Sequence, residues 1–252
     1  MNPAINEATG GLVCRGGFRT YRSGGSSVPH LEPVGLVSAP RQGHPSGPTV
    51  FVVDNDPDTR QLIRLWVAHV DLNVETYALA REFLNAYAPD RPGCLLLDVR
   101  LPDMSGLELQ EELATRKVEI PIIMMARQME VSVVVGAMRA GALDFIEKPP
   151  NRQYLLERIQ EAIRLDLRRR REKAERTEIG TRLRSLTRRE QEVMGLMFDG
   201  LSNKEIALQL GISYKTVSIH RGRIIRKMRA NSLAELFRFG IKVGWRGSSS
   251  PP

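Results

Sequence analysis

A chain of 252 residues with 42% hydrophobic and 26% charged side chains has enough apolar material for one or two buried cores. No apolar run approaches the ~18 residues of a membrane span, and the first residues lack a charged start followed by an apolar stretch, so a soluble cytoplasmic protein without membrane contact is expected. The formal charge of +8 is unevenly spread, with residues 1–48 at +2, residues 49–165 at −5 and residues 166–252 at +11, which directs any polyanion-binding function to the last third.

In chain order, residues 1–48 are rich in Gly, Ser, Pro and Arg without a sustained apolar period. They predict a disordered extension that contains Cys14. Cys94, far from Cys14 and without metal-type spacing to it, reads as a small core residue. From Thr49 onward, strand-like runs alternate with helical patterns. The strand-like runs cover residues 50–54, 74–77, 94–98, 120–125 and 143–147. The first helical pattern, residues 57–69, places Leu62, Ile63, Trp66 and Val67 on one face; the fifth runs through residues 154–163. Five such pairs predict a doubly wound α/β domain over residues 49–165, with a five-stranded parallel sheet and helices on both faces. Continuous apolar strands such as Cys94-Leu95-Leu96-Leu97 fit a sheet buried on both sides.

In such a sheet, reactive groups collect beyond the carboxyl ends of the strands, where strand order reverses. The first strand delivers Asp54-Asn55-Asp56, the third Asp98 and the fifth Lys148-Pro149. Two strand-end carboxylates suit a hard cation such as Mg²⁺, and a lysine facing them can neutralise a phosphoryl oxygen.

The runs Val52-Val53-Asp54-Asn55-Asp56, Leu96-Leu97-Asp98-Val99-Arg100-Leu101-Pro102-Asp103-Met104-Ser105-Gly106 and Gly141-Ala142-Leu143-Asp144-Phe145-Ile146-Glu147-Lys148-Pro149 resemble the receiver domain of two-component response regulators. The resemblance implies a flavodoxin-like fold, Asp98 as phosphoacceptor, Asp54 and Asp98 as metal ligands, Lys148 as phosphate-sensing cation and a cis Lys148–Pro149 bond. It also implies a switch through positions Ala126 and Phe145, and a sensor histidine kinase as partner. Two positions depart from the family. Asn55 stands where a second carboxylate is usual, which weakens Mg²⁺ binding, and Ala126 stands where a Thr or Ser hydroxyl is usual. A charge-assisted hydrogen bond is worth about 1.5–3 kcal/mol, against about 5.5 for a complete two-state switch. Weak or no dependence on aspartyl phosphorylation is therefore expected; the competing expectation is a conventional phosphorylation-driven switch.

Residues 166–184, with Arg168-Arg169-Arg170-Arg171, form a basic linker that is either a solvated hinge or a continuation of the fifth helix. Residues 185–245 are helical in pattern. Thr187-x-x-Glu190, Ser202-x-x-Glu205 and Ser232-x-x-Glu235 are spaced as capping boxes, and a further helix begins after Gly211-Ile212-Ser213, giving a four-helix domain. Because caps, core stripe and basic face are all local, segment 184–252 is expected to fold alone. Residues 246–252 read as a disordered tail.

The segment 202–228 has helix-turn-helix length and turn chemistry. Leu186-Thr187-x-x-Glu190, Gly200-Leu201-Ser202-Asn203-Lys204-Glu205-Ile206-Ala207 and Ile212-Ser213-Tyr214-Lys215-Thr216-Val217-Ser218-Ile219-His220 resemble the LuxR-type domain of NarL/FixJ regulators. This implies duplex promoter DNA as ligand, a homodimer on DNA and RNA polymerase as a further partner. At about 100° per residue, Val217, Ile224 and Met228 turn inward, whereas Lys215, Ser218, Ile219, Gly222 and Arg226 face the groove. Lys204, Thr216, Arg223 and Lys227 are candidate phosphate contacts, and His220 is expected to make a structural hydrogen bond. No enzymatic role is expected. A haloacid dehalogenase-type phosphatase would want Thr where Asp58 stands, and a sigma-factor reading lacks a promoter-melting domain.

Overall fold

The computed structural model describes residues 47–245; the expected extension with Cys14 and the expected tail at 246–252 lie outside the described residues. The first unit alternates β1 (Thr49–Val53), α1 (Pro57–Ala68), β2 (Asn73–Tyr77), α2 (Ala80–Ala86), β3 (Gly93–Asp98), α3 (Gly106–Thr115), β4 (Ile122–Ala126), α4 (Val131–Arg139) and β5 (Asp144–Glu147) before entering α5 (Arg152–Arg184). The strands form one parallel sheet in the order β2-β1-β3-β4-β5. Strand order reverses between β1 and β3, which opens the crevice at their carboxyl ends.

Alternation along the strands feeds two apolar layers. Phe51, Val53, Leu95, Leu97 and Met124 face one way, onto Phe83, Leu109, Leu113 and Ala137 of α2, α3 and α4. Val50, Val52, Cys94, Leu96, Ile123 and Met125 face the other, onto Ile63 and Val67 of α1 and Leu155, Ile159 and Ala162 of α5. Of the face expected on α1, Trp66 is only partly buried and Leu62 is 37% exposed. The buried stripe of α1 is therefore narrower than its apolar residues suggest, because a helix lying on a flat sheet covers little more than one row of side chains.

The basic linker is helix, not hinge. α5 runs unbroken for 33 residues, and its two ends belong to different cores. Toward the first unit, Asp166 is buried and accepts hydrogen bonds from Gly93 N at 2.9 Å and Arg170 Nε at 2.7 Å. Arg170 continues to the carbonyls of Pro89 at 2.9 Å and Arg91 at 2.8 Å. Any side chain at position 93 would lie 1.8 Å from the Thr49 carbonyl, so only glycine lets β1 and β3 close there. Residues 171–178 are exposed, and Ile179 and Leu183 then enter the core of the C-terminal unit. Thirteen residues separate Asp166 from Ile179, a rotation of about 220°, so the two cores pack on different faces of one rod.

The C-terminal unit consists of α6 (Arg188–Phe198), α7 (Asn203–Leu210), α8 (Tyr214–Met228) and α9 (Leu233–Lys242). The first two capping boxes form as expected at Thr187 and Ser202. The third is half formed: Ser232 Oγ accepts from Glu235 N, but the Glu235 carboxylate takes Asn231 N instead of Ser232 N. Gly211 adopts φ 63°, the left-handed conformation that ends α7, and Ser213 caps α8.

The domain boundaries expected at 165 and 184 cut through both packing sites of α5, and a segment beginning at 184 leaves out two core residues. A fragment 174–252 should therefore be measurably more stable than 184–252. In the full chain, Ile179→Ala should lower the unfolding free energy of the C-terminal transition by about 2–4 kcal/mol in urea. A change below about 0.5 kcal/mol, the range of neutral surface substitutions, would mean that α5 does not share that core.

Candidate functional site

The pocket forms where β1, β3 and β5 end. Asp54, the first residue past β1, is fully buried; its Oδ1 accepts Asp56 N at 3.0 Å, and its Oδ2 lies 2.6 Å from Lys148 Nζ. The same ammonium lies 2.6 Å from Asp98 Oδ2, while Asp98 Oδ1 accepts Arg100 N at 3.1 Å. One cation therefore serves two carboxylates, and the Lys148 side chain is only 5% exposed. Burial pushes the Asp54 carboxyl above the usual carboxylate range, against the opposing pull of Lys148.

The backbone holds these groups firmly. Lys148 N donates to Ala126 O at 2.7 Å, and Lys148–Pro149 is cis, as the resemblance implies. The loop after β3 folds back tightly, with Gly106 N on Val99 O at 2.9 Å. A Cβ at Gly106 would sit 2.4 Å from the Asp98 carbonyl, so the glycine is what permits this return.

Asn55, Asp98 and Ala126 line a cleft of about 830 Å³ together with Asp56, Val99, Arg100, Arg127 and Glu130. Ala126 is buried and offers only a methyl group; Phe145 is buried in the layer that holds Ala137 and Val133 of α4. Among the described residues no three His, Cys, Asp or Glu side chains group as a metal site. The oxygen donors of Asp54, Asp98 and Asn55 nevertheless suit a hard divalent cation in kind. They present one negative charge fewer than three carboxylates would, with Lys148 already among them.

Two arginines at the rim escaped the sequence reading. Arg127 pairs with Asp56 Oδ2 at 3.0 Å, and Arg100 pairs with Glu130 at 3.1 Å. The only signal was position, Arg127 directly after Ala126 and Arg100 two residues after Asp98.

On α8, Val217, Ile224 and Met228 are fully buried, and Lys215, Ser218, Ile219, Gly222, Arg223 and Arg226 are exposed, as is Lys204 on α7. The helix therefore divides into a core stripe and a solvent stripe at the expected angles. Thr216 is half-buried, and its hydroxyl is shared with Ser213 at 2.8 Å. Asn203 bridges the two helices, accepting from Arg221 at 2.6 Å and donating to Ser218 Oγ at 3.4 Å; this tie was not foreseen. Two expectations need correction. The Lys227 ammonium turns inward to Glu190 Oε2 at 2.6 Å and to the Ser185 carbonyl at 3.1 Å, so it is a tie between helices rather than a free cation. His220 Nδ1 is buried without the hydrogen bond expected for it among the described residues.

Residues 50–160 match the family described as "Response regulator receiver domain", and residues 184–239 match "Bacterial regulatory proteins, luxR family". The chain is 41% identical over 207 residues to nodulation protein W of Bradyrhizobium diazoefficiens, covering 80% of this chain and 90% of that one. It is 36% identical to the transcriptional regulatory protein FixJ of Azorhizobium caulinodans, covering 79% and 95%. Among solved structures, the response regulator StyR superimposes with a TM-score of 0.73 at 40% identity, covering 77% of this chain and 98% of that one.

Burial raises the Glu190 carboxyl, but the bonds from Lys227 and the Thr187 amide outweigh it and hold the group below the usual carboxylate range. A carboxylate depressed in the folded state stabilises above its unfolded pKa of about 4.3, and that contribution is lost as pH falls through the folded value. Lys227→Ala should therefore cost about 1–3 kcal/mol at neutral pH. Urea titrations at pH 7 and near pH 3 should show the difference from wild type shrinking in acid; an equal difference at both would contradict the ion pair.

Proposed function

The chain belongs to the two-component response regulators that join a receiver domain to a LuxR-type helix-turn-helix, and from that premise we propose a promoter-binding transcription regulator that acts as a homodimer on DNA and depends little on phosphorylation of its receiver. The observation that carries the DNA-binding part is the division of α8, whose solvent stripe presents Lys215, Ser218, Ile219, Gly222 and Arg226 over a buried Val217, Ile224 and Met228. The solvent stripe reads base edges, and Lys204, Thr216 and Arg223 contact phosphates. Gly222 contributes no side chain, so readout there is by close approach alone. Lys227 is withdrawn from the contact set because Glu190 already neutralises it.

One helix-turn-helix reads a half-site, so a dimer is required for an operator. Val131, Val135 and Met138 on α4 are exposed at 78%, 42% and 44%, and Ile241 on α9 is exposed at 75%. These apolar positions are the proposed dimer surfaces. A receiver implies a kinase partner; here Asp98 is the proposed phosphoacceptor, Asp54, Asp98 and Asn55 the residues that would hold Mg²⁺, and Lys148 the cation facing the phosphoryl group. The metal would supply charge neutralisation for phosphoryl transfer, but Asn55 weakens its hold and Ala126 has no hydroxyl with which to bind the product. No catalytic activity is assigned. The haloacid dehalogenase alternative has no support, since Asp58 stands where its motif wants Thr and both matched families are those of regulators. No helix among the described residues is long and apolar enough to cross a membrane; the proposed place of action is the cytoplasm, with RNA polymerase as downstream partner.

Base readers and phosphate contacts should separate in binding assays on duplex DNA. Lys215→Ala or Ile219→Ala should change sequence preference, whereas Arg223→Ala should weaken binding to all sequences and reduce the salt slope by about one unit. Absence of any binding at low salt would refute the assignment. For the receiver, Asp98→Asn should leave DNA affinity within about twofold, or ~0.4 kcal/mol. The pair Asn55→Asp with Ala126→Thr should create phosphodonor-dependent DNA affinity, because each change restores a different half of the switch; a large loss in Asp98→Asn alone would contradict this.

A further inference from the structure

The mouth of the receiver pocket already holds a cation of its own. Arg127 directly follows Ala126 at the end of β4, and its guanidinium reaches Asp56 Oδ2 at 3.0 Å, on the wall of the cleft that Asn55 and Asp98 also line. Asp56 is not a free carboxylate: its Oδ1 accepts Asp58 N at 3.1 Å and its Oδ2 also accepts the Thr59 hydroxyl at 2.9 Å. Around the cleft, Asp54, Asp56 and Asp98 contribute three negative charges, Lys148 and Arg127 contribute two positive ones, and Asn55 contributes none. Arg100 and Glu130 cross the rim as a neutral pair. A divalent cation that enters finds one net negative charge; without Arg127 it would find two.

We propose that Arg127 is a tethered counter-cation that competes with Mg²⁺ for the mouth of the pocket, so that weak metal binding is built from two positions, Asn55 and Arg127, rather than from one. The inference rests on reading the Asp98 cleft as the cation-binding pocket of a response regulator. Its physical basis is short-range repulsion between a guanidinium and a divalent ion. The Arg127 side chain is 76% exposed and that of Asp56 23%, so the bridge itself is weakly held. Even with the bridge open, the covalent tether keeps the guanidinium at the rim of the cleft, and such an exposed charge is screened over about 8 Å at physiological salt. The guanidinium stays charged at every physiological pH, so acidity does not relieve the competition. A free ion competes only in proportion to its concentration, whereas Arg127 is always present at the site.

The test is titration of the full-length protein with Mn²⁺, an oxygen-seeking stand-in for Mg²⁺, with the free aquo ion followed by electron paramagnetic resonance. Arg127→Ala should bind Mn²⁺ at least fivefold more tightly than wild type, and Arg127→Lys, which keeps the charge, should stay within twofold of it. Asn55→Asp should tighten binding alone, and the double variant should tighten it further. Because Arg127 is exposed, its replacement leaves the core intact. Arg127→Ala at or below wild-type affinity, with Asn55→Asp tightened, would overturn the counter-cation while leaving the pocket reading in place. Asn55→Asp without any gain would mean that the ion does not bind in this cleft, and would overturn both.

Discussion

Two buried carboxylates stay ionised side by side only with a cation between them, and in this receiver the chain supplies it from Lys148, 2.6 Å from both Asp54 and Asp98. Much of the first domain exists to make that contact possible. The parallel sheet brings the ends of β1, β3 and β5 to one edge, and the Lys148 amide is pinned to Ala126 O. The turn at Gly106 lets the Asp98 loop return without a clash. The ion triad leaves one net negative charge, and Arg127 and Asp56 form a neutral pair beside it.

The receiver and the DNA-binding unit are joined by α5, a single continuous helix. At one end Asp166 and Arg170 hydrogen-bond the chain around β3, and at the other Ile179 and Leu183 are part of the second core. At about 1.5 Å per residue the helix is roughly 50 Å long, and residues 171–178 between its anchors touch neither core. A rod anchored at both ends transmits position and orientation. Dimer contacts made by α4 would therefore bear on the spacing of the two recognition helices, which is the quantity an operator measures.

The fold was legible wherever periodicity and local chemistry agreed. The β-branched and apolar strands, the strand-end Asp54, Asp98 and Lys148, and the caps at Thr187, Ser202 and Ser213 all stand where the sequence puts them. The core stripe of α8 followed from the helical angle alone, because Val217, Ile224 and Met228 recur on one side. What escaped were long polar side chains whose partners are distant in sequence. Lys227 looked like a surface cation because its partner Glu190 lies 37 residues away. Arg170 was hidden inside a run of four arginines, although it alone of the run reaches the carbonyls of Pro89 and Arg91. Arg127 carries no pattern at all, and its role depends on a cleft that only the sheet creates. The linker was ambiguous for a related reason, since an exposed helix between two cores has no apolar period to announce it.

We propose that the DNA-binding form of this regulator does not wait for a phosphoryl group. The most direct measurement is the affinity of wild-type full-length protein for its operator, at saturating Mg²⁺, before and after incubation with acetyl phosphate, with phosphorylation of Asp98 counted by intact mass. Little incorporation is expected, with affinities that agree within about twofold, or ~0.4 kcal/mol. Stoichiometric phosphorylation accompanied by a tenfold gain, or ~1.4 kcal/mol, would contradict it.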